Sequence, residues 1–197
     1  MPENTKIRIG FGLCGSFCTL SKAMEQMHQL VVQGYDVTPI MSENTYRTNT
    51  RFGTAQSFID QAEQITQKPV LHFIEQVEPF GPRKLLDLLI IAPCTGNTLA
   101  KLANGVSDTP ITLAAKAHLR NERPVLIALS SNDALSQNAK NLGVLLNSKN
   151  IFFVPFGQDD ALKKPTSLVA CFNQIPEAAS LAIQGIQMQP MLVQTGG

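Results

Sequence analysis

Residues 88–108 read LLIIAPCTGNTLAKLANGVSD, and the order of residue types in that stretch decides the fold. The four aliphatic residues 88–91 make a short, unbroken apolar run, the pattern of a strand buried on both faces. Ala92 and Pro93 end it, since proline offers no N–H to a ladder. Cys94, Thr95, Gly96, Asn97 and Thr98 follow, all small and mostly polar. Leu99, Leu102, Ala103 and Val106 then recur at i, i+3, i+4 and i+7, one face of a helix, which Asn104 and Gly105 stop. Strand, small polar loop and helix in that order leave backbone N–H groups and hydroxyls at the positive end of a helix dipole. That is a seat for anionic or polar ligand groups.

The flanking sequence repeats the pattern. Residues 6–13 form a first strand that runs into Cys14, Gly15 and Ser16. A helix follows, with Leu20, Met24, Met27 and Val31 on one face and Gly34 as its stop. Residues 36–41 (DVTPIM) form a second strand ending at Ser42, in which Pro39 requires an edge or a bulge. A polar loop spans 43–53, a helix spans 54–67, and 70–77 is ambiguous between strand and helical turn. Two prolines and a glycine predict a loop at 78–82. After the central stretch, Ser107 or Asp108 caps a helix with Pro110 in its first turn. Residues 125–129 form another apolar strand. It ends in Ser130, Ser131, Asn132 and Asp133, and a helix runs on to about 146. A short strand at 151–154, a polar loop at 158–166 and a last helix from Pro176 to near Pro190 complete the chain. Residues 191–197 read as a flexible tail.

Alternating apolar strands and amphipathic helices predict a doubly wound, mostly parallel α/β sheet. In such sheets ligands bind at the carboxyl ends of the strands. Here those ends carry 12–16, Ser42, 93–98 and 130–133, all rich in glycine and small hydroxyl or amide residues.

The chain has 197 residues with 44% hydrophobic and 16% charged residues, which suits one globular domain over 1–197. Its net charge of +1 gives no electrostatic footprint for nucleic acid or an anionic membrane. The N-terminus lacks the signature of a signal peptide, and no apolar run reaches the roughly 18 residues that span a bilayer. The four cysteines (Cys14, Cys18, Cys94, Cys171) form no C-x-x-C pair and His28, His72 and His118 are scattered. Reduced thiols in a cytoplasmic protein, without a metal site, are expected.

Gly10, Gly12 and Gly15 match G-x-G-x-x-G between a strand and a helix, the fingerprint of a dinucleotide pyrophosphate seat. An NAD(P) site wants an acid at the end of the second strand, however. Ser42 stands there, and a hydroxyl suits a phosphate better than a ribose diol, so the residues favour a mononucleotide, while NAD(P) and a motif that serves packing alone stay open. Thr95, Asn97 and Thr98 exceed what a structural turn needs. Cys94 is read as lining rather than as a nucleophile, because no histidine is placed beside it. Arg47 and Arg51 are candidates for a bidentate carboxylate clamp, with a solvated loop as the plain alternative. Arg120 and Arg123 read as cations at a helix C-terminus, and His72 as a satisfied or exposed histidine.

The segment APCTGNTLAKLANG at 92–105, with SDTP at 107–110, GLCGS at 12–16 and Ser42, resembles the signature of the flavoprotein family that includes homo-oligomeric flavin-containing cysteine decarboxylases. TRFGTAQ, EPFGP, KAHLRNERPVLIALSSNDAL, KNIFFVPFGQDDALKKP and MQPMLV extend it, over about 6–193, to a resemblance to the B subunits of dipicolinate synthases from spore-forming bacteria. The resemblance implies a three-layer Rossmann-like or flavodoxin-like fold and an FMN cofactor held between protomers of a trimer-based homo-oligomer. It also implies a partner, the A subunit of the synthase, and oxidation of a dihydrodipicolinate-level pyridine dicarboxylate precursor in the mother-cell cytoplasm during sporulation. By motif, Gly12, Gly15, Ser16 and Ser42 would contact the FMN phosphate or ribityl chain. Pro93, Cys94, Thr95, Asn97 and Thr98 would line the flavin, with Ser130 and Asn132 from the next strand end. Arg47 and Arg51 would bind substrate. Where the decarboxylases carry Pro-x-Met-Asn, this chain has Ser130, Ser131, Asn132 and Asp133, and only His72 loosely matches their histidine. Both departures argue against cysteine decarboxylation. Another FMN-dependent decarboxylase or prenyltransferase, or a non-catalytic nucleotide-binding partner of the A subunit, are the alternatives.

Overall fold

A computed structural model describes residues 6–194. The strands are β1 (Arg8–Leu13), β2 (Asp36–Met41), β3 (Leu88–Cys94), β4 (Val125–Ser131), β5 (Ile151–Phe153), β6 (Phe156–Asp160) and β7 (Lys164–Ala170). The helices are α1 (Phe17–Val32), α2 (Glu43–Arg47), α3 (Ala55–Thr66), α4 (Ile74–Val77), α5 (Phe80–Arg83), α6 (Gly96–Ala103), α7 (Pro110–Leu119), α8 (Ala139–Leu146) and α9 (Ile175–Ile183). One seven-stranded sheet runs β2-β1-β3-β4-β7-β6, with β5 also paired to β4. β2, β1, β3, β4 and β5 are parallel, while β7 and β6 are antiparallel additions. The α1 and α9 helices pack on one face, with α7 on the other. This is the doubly wound, three-layer α/β arrangement that the sequence predicts.

The centre of the sheet is apolar because it has to be. Leu88 to Ala92 and Cys94 are fully buried, and β3 is paired on both sides, to β1 and β4. Burying each large aliphatic side chain here contributes roughly 1.5–3 kcal/mol. Tight contact also explains two glycines of the 10–15 motif. A Cβ on Gly10 would lie 2.5 Å from Leu86 Cδ1, and one on Gly12 would lie 3.3 Å from Ile111 of α7. Both serve packing.

Several local expectations are corrected. β3 does not stop at Pro93 but continues to Cys94, because the register shifts between Ile91 and Cys94 and the bulge accommodates the missing N–H. Pro39 lies on the sheet edge in β2, as required. The polar loop at 43–53 begins with α2, whose N-cap Ser42 accepts from Thr45 N–H. Residues 80–83 form the single turn α5; its proline falls in the first turn, where no intrahelical N–H is needed. Thr109, rather than Ser107 or Asp108, caps α7, and Asp108 pairs with Lys101 at 2.7 Å instead. The helix expected from 134 starts at Ala139, since the N–H groups of Ser136 and Asn138 are both taken by Asp133 O in turns. The polar loop at 158–166 belongs to the β6–β7 hairpin, turned by Asp160 Oδ1 accepting from Leu162 and Lys163 N–H. Its alternation is polar because one face meets solvent. The last helix stops at Ile183, with Gly185 at φ +76° beyond it. In the stretch read as a tail, Phe156 exchanges backbone hydrogen bonds with Met191 and Val193, while 195–197 lie outside the described residues.

At the opposite end of the sheet from the ligand-binding loops, Asp87 bonds Arg8 through both oxygens and Arg123 at 3.1 Å. Arg123 thus serves this cluster and also reaches the carbonyl of Lys84, the C-cap of α5, at 3.4 Å. Desolvation pushes the Asp87 carboxyl up, but the Arg8 bonds and the Arg123 charge outweigh it and hold it below the usual carboxylate range. Nearby His118 is 2% exposed and its Nε2 has no hydrogen-bond partner among the described residues. Burial, reinforced by the Arg123 charge, pushes its pKa down to about 4. Between pH 6.5 and about 4 the unfolded chain takes up a proton at His118 that the folded chain refuses. Stability therefore falls as pH drops through that window, by about 3 kcal/mol at its acid end. Denaturant unfolding at pH 7 and pH 4.5 should show this loss in the natural protein and a much smaller one in His118→Leu.

Candidate functional site

Parallel strands end at one cleft, with a cavity volume of about 1120 Å³. Gly15 and Ser16 reach it from the end of β1, and Thr95, Gly96 and Asn97 from the end of β3. Ser130 to Asp133 reach it from β4, and the β6–β7 hairpin supplies an outer wall. The hairpin stands there because β7 pairs with Ser130 and Ser131, the last residues of β4. Thr166 Oγ1 donates to Asn132 O at 2.6 Å and pins the hairpin to the cleft rim.

A hydroxyl cluster joins the two central loops. Ser16 Oγ lies 2.8 Å from Ser130 Oγ, and Thr19 Oγ1 lies within hydrogen-bond reach of both, 3.2 Å from Ser130 Oγ and 3.1 Å from Ser16 Oγ. Ser16 is the N-cap of the 16-residue α1, yet its side chain makes no cap hydrogen bond. The positive end of α1 thus opens on the cleft together with three hydroxyls, a donor set that matches a phosphate or ribityl group. Ser42 stands at the end of β2, outside the cleft lining, where its N–H bonds Leu13 O at 3.1 Å. Its hydroxyl caps α2.

The candidate residues divide accordingly. Gly15, Ser16, Thr95, Asn97, Ser130, Asn132 and Arg51 line the cleft. Gly12, Pro93, Cys94 and Thr98 do not. Gly12 faces Ile111. Because β3 runs to Cys94, that thiol is fully buried in the core, and burial, with Cys14 nearby, raises it well above the usual thiol range. Thr98 Oγ1 turns inward to Cys14 Sγ at 3.3 Å, and burial pushes that thiol up to about 11 against the Thr98 hydrogen bond. Arg47 is held in an exposed ion pair with Glu43 at 2.9 Å. Arg51, by contrast, has no ion-pair partner among the described residues and lies over the adjacent Phe52 ring, 4.9 Å from its centroid. His72 stacks on Tyr46 with ring centroids 3.6 Å apart, and no histidine among the described residues lines the cleft.

Sequence reasoning missed a polar network that starts at the cleft floor and runs inward from it. Asp133 accepts from Ser131 Oγ through Oδ1 and from Asn138 Nδ2 through Oδ2 at 2.7 Å. Asn141 continues the chain to Asn138 at 2.8 Å and accepts from Asn104 at 3.3 Å. Only the run of N-cap types at 130–133 hinted at it. Gly96 admits this network to the first turn of α6. A Cβ there would fall 2.6 Å from Asp133 Oδ1, 2.6 Å from Ser131 Oγ and 2.7 Å from Asn138 Nδ2. Gly96→Ala should cost about 1–3 kcal/mol, whereas Gly143→Ala in α8, with nothing within 4 Å, should stabilise by about 0.5–1 kcal/mol. Urea unfolding of the two variants checks the contrast.

Comparison with known proteins agrees with this geometry. The Flavoprotein family model matches residues 2–187. The B subunit of dipicolinate synthase from Bacillus subtilis (strain 168) is 46% identical over 187 residues, which is 95% of this chain and 94% of that one. The crystal structure of the dipicolinate synthase B subunit from Bacillus halodurans C superimposes with a TM-score of 0.89 at 43% identity. It covers 96% of this chain and 97% of that one. The FMN-dependent cysteine decarboxylase SpaF shares the fold, with a TM-score of 0.63 at 21% identity over 91% and 97% of the two chains. The chain belongs to the Flavoprotein family, within its group of dipicolinate synthase B subunits.

Proposed function

We propose that this chain is the FMN-holding component of a dipicolinate synthase, acting with the A subunit on a dihydropyridine dicarboxylate in the mother-cell cytoplasm of a sporulating bacterium. The observation that carries the reading is the hydroxyl-lined cleft at the ends of β1, β3 and β4. It occurs in a chain alike from end to end to the B subunit of the Bacillus subtilis synthase. Gly15, Ser16, Thr19 and Ser130 would hold the phosphate end, and Thr95, Asn97 and Asn132 the flavin side. Bound there, FMN supplies two-electron oxidation, which a dihydropyridine needs in order to aromatise. The chain's own part is positional. The open end of α1 neutralises phosphate charge, the hairpin and the 51–52 loop narrow access to water, and Arg51 grips one substrate carboxylate. A homo-oligomer built on trimers, as the resemblance implies, completes the proposal. Cysteine decarboxylation is disfavoured by a cleft whose described lining holds no histidine and by the absence of a reactive thiolate at Cys94.

Ser16→Ala and Ser130→Ala should each weaken FMN binding about tenfold, read as quenching of flavin fluorescence on titration with the protein. Arg51→Ala should leave FMN binding unchanged and raise the KM of the two-component synthase about tenfold or more. Natural protein that binds no FMN refutes the reading.

A further inference from the structure

We propose that Asp133 is the general base that takes the ring proton during aromatisation, a role that rests on the flavoprotein reading above. Oxidation of a dihydropyridine dicarboxylate removes a hydride and a proton. One sp3 ring carbon gives up its C–H electron pair with the hydrogen, as hydride, to the flavin. The neighbouring carbon loses a proton to a base, and the electron pair left behind closes the last ring double bond. The flavin accounts for the hydride, so a protein group is needed for the proton.

The cleft contains few groups able to take it. No histidine among the described residues lines it. Asp159 is committed to an ion pair with Lys164. Glu25 lies two turns along α1, away from the strand ends, and the Cys18 thiol makes a long 3.9 Å contact to Ser16 near Lys164. Asp133 differs from all of these. It lines the cleft just beyond the end of β4, with Gly96 packed against its Oδ1, and each of its oxygens is fixed by a separate donor. Both donors, Ser131 and Asn138, are neutral, so the carboxylate is oriented without being neutralised by a cation. Each oxygen has one described donor, and a carboxylate oxygen carries a second lone pair that can take a proton.

The surroundings are arranged around that carboxylate at some cost. Asn138 is the N-cap of α8, yet it makes no side-chain cap bond to that helix. Its amide instead donates to Asp133, while its oxygen is held by Asn141. Asn138 is 7% exposed, so the support lies within the protein, while Asp133 itself is half-buried and lines the cleft. Gly96 is the concession that lets α6 close over the arrangement. Asn138 is a positioning residue, and Asp133 is the group that meets substrate.

The test uses the complex of this chain with the A subunit. Asp133→Asn keeps the size and, with its oxygen toward Asn138 Nδ2 and its amide donating to Ser131 Oγ, keeps both contacts, but it cannot accept the proton. Turnover should fall about 100-fold or more, while FMN absorption is retained. The dianionic product, pyridine-2,6-dicarboxylate, should bind severalfold more tightly by calorimetry, because a negative charge facing it is gone. Asp133→Ala is the second variant, in which added formate should restore part of the lost turnover. The proposal is overturned if either variant, without formate, turns over at a rate close to that of the natural protein. It is equally overturned if FMN and product binding are lost together with turnover, which is the signature of a purely structural carboxylate. Natural protein without FMN removes the underlying reading as well, an outcome distinct from FMN-loaded variants that stay active.

Discussion

Complete burial of β3 is the constraint on which everything else depends. A strand hydrogen-bonded on both edges and covered by helices on both faces can carry only apolar side chains along its length. Leu88 to Ala92 satisfy that demand with no exposed surface. The consequence is a sharp division of labour. Polar residues are excluded from the strands and collect where the strands end, so glycine, serine, threonine and asparagine from β1, β3 and β4 meet in one cleft without any sequence proximity. Ser16 and Ser130 are 114 positions apart and 2.8 Å from each other.

The two ends of the sheet treat charge in opposite ways. At the amino ends, Asp87 is surrounded by Arg8 and Arg123, an arrangement that fixes strand ends and leaves nothing free for chemistry. At the carboxyl ends, the described partners of Asp133 are neutral, Arg51 pairs with no described carboxylate, and α1 begins without a side-chain cap. Unfulfilled electrostatic capacity of this kind is what a ligand completes, and it is concentrated at the end where a doubly wound sheet binds ligands. The β6–β7 hairpin adds to this by extending the sheet from β4 past the point where β5 leaves off, turning an open edge into a cleft wall.

Much of this was legible in residue types alone. Apolar runs and helical periodicity pointed to the parallel α/β architecture, and the small polar clusters at strand ends pointed to the location of the cleft. The errors arose where local rules met tertiary ones. Pro93 reads as a stop, but a bulge lets β3 continue through it, which moved Cys94 from the cleft into the core. The glycine fingerprint at 10–15 leaves a phosphate loop and plain packing open, and the close approach of Leu86 to Gly10 and of Ile111 to Gly12 favours packing for those two. The polar hairpin reads as a loop because residues 158–166, its tip, are exposed or only half-buried throughout and so show no apolar alternation. The Asp133 network joins residues from β4, α6 and α8, so no short window of sequence contains it.

Flavin bound in this cleft, with a dihydropyridine dicarboxylate brought against it, is the central claim. The most direct measurement is the visible absorption spectrum of the purified chain loaded with FMN, recorded anaerobically together with the A subunit before and after adding the dihydrodipicolinate-level substrate. The expected result is a flavin band that bleaches as the ring aromatises. A flavin band that persists unchanged while product forms would contradict the claim.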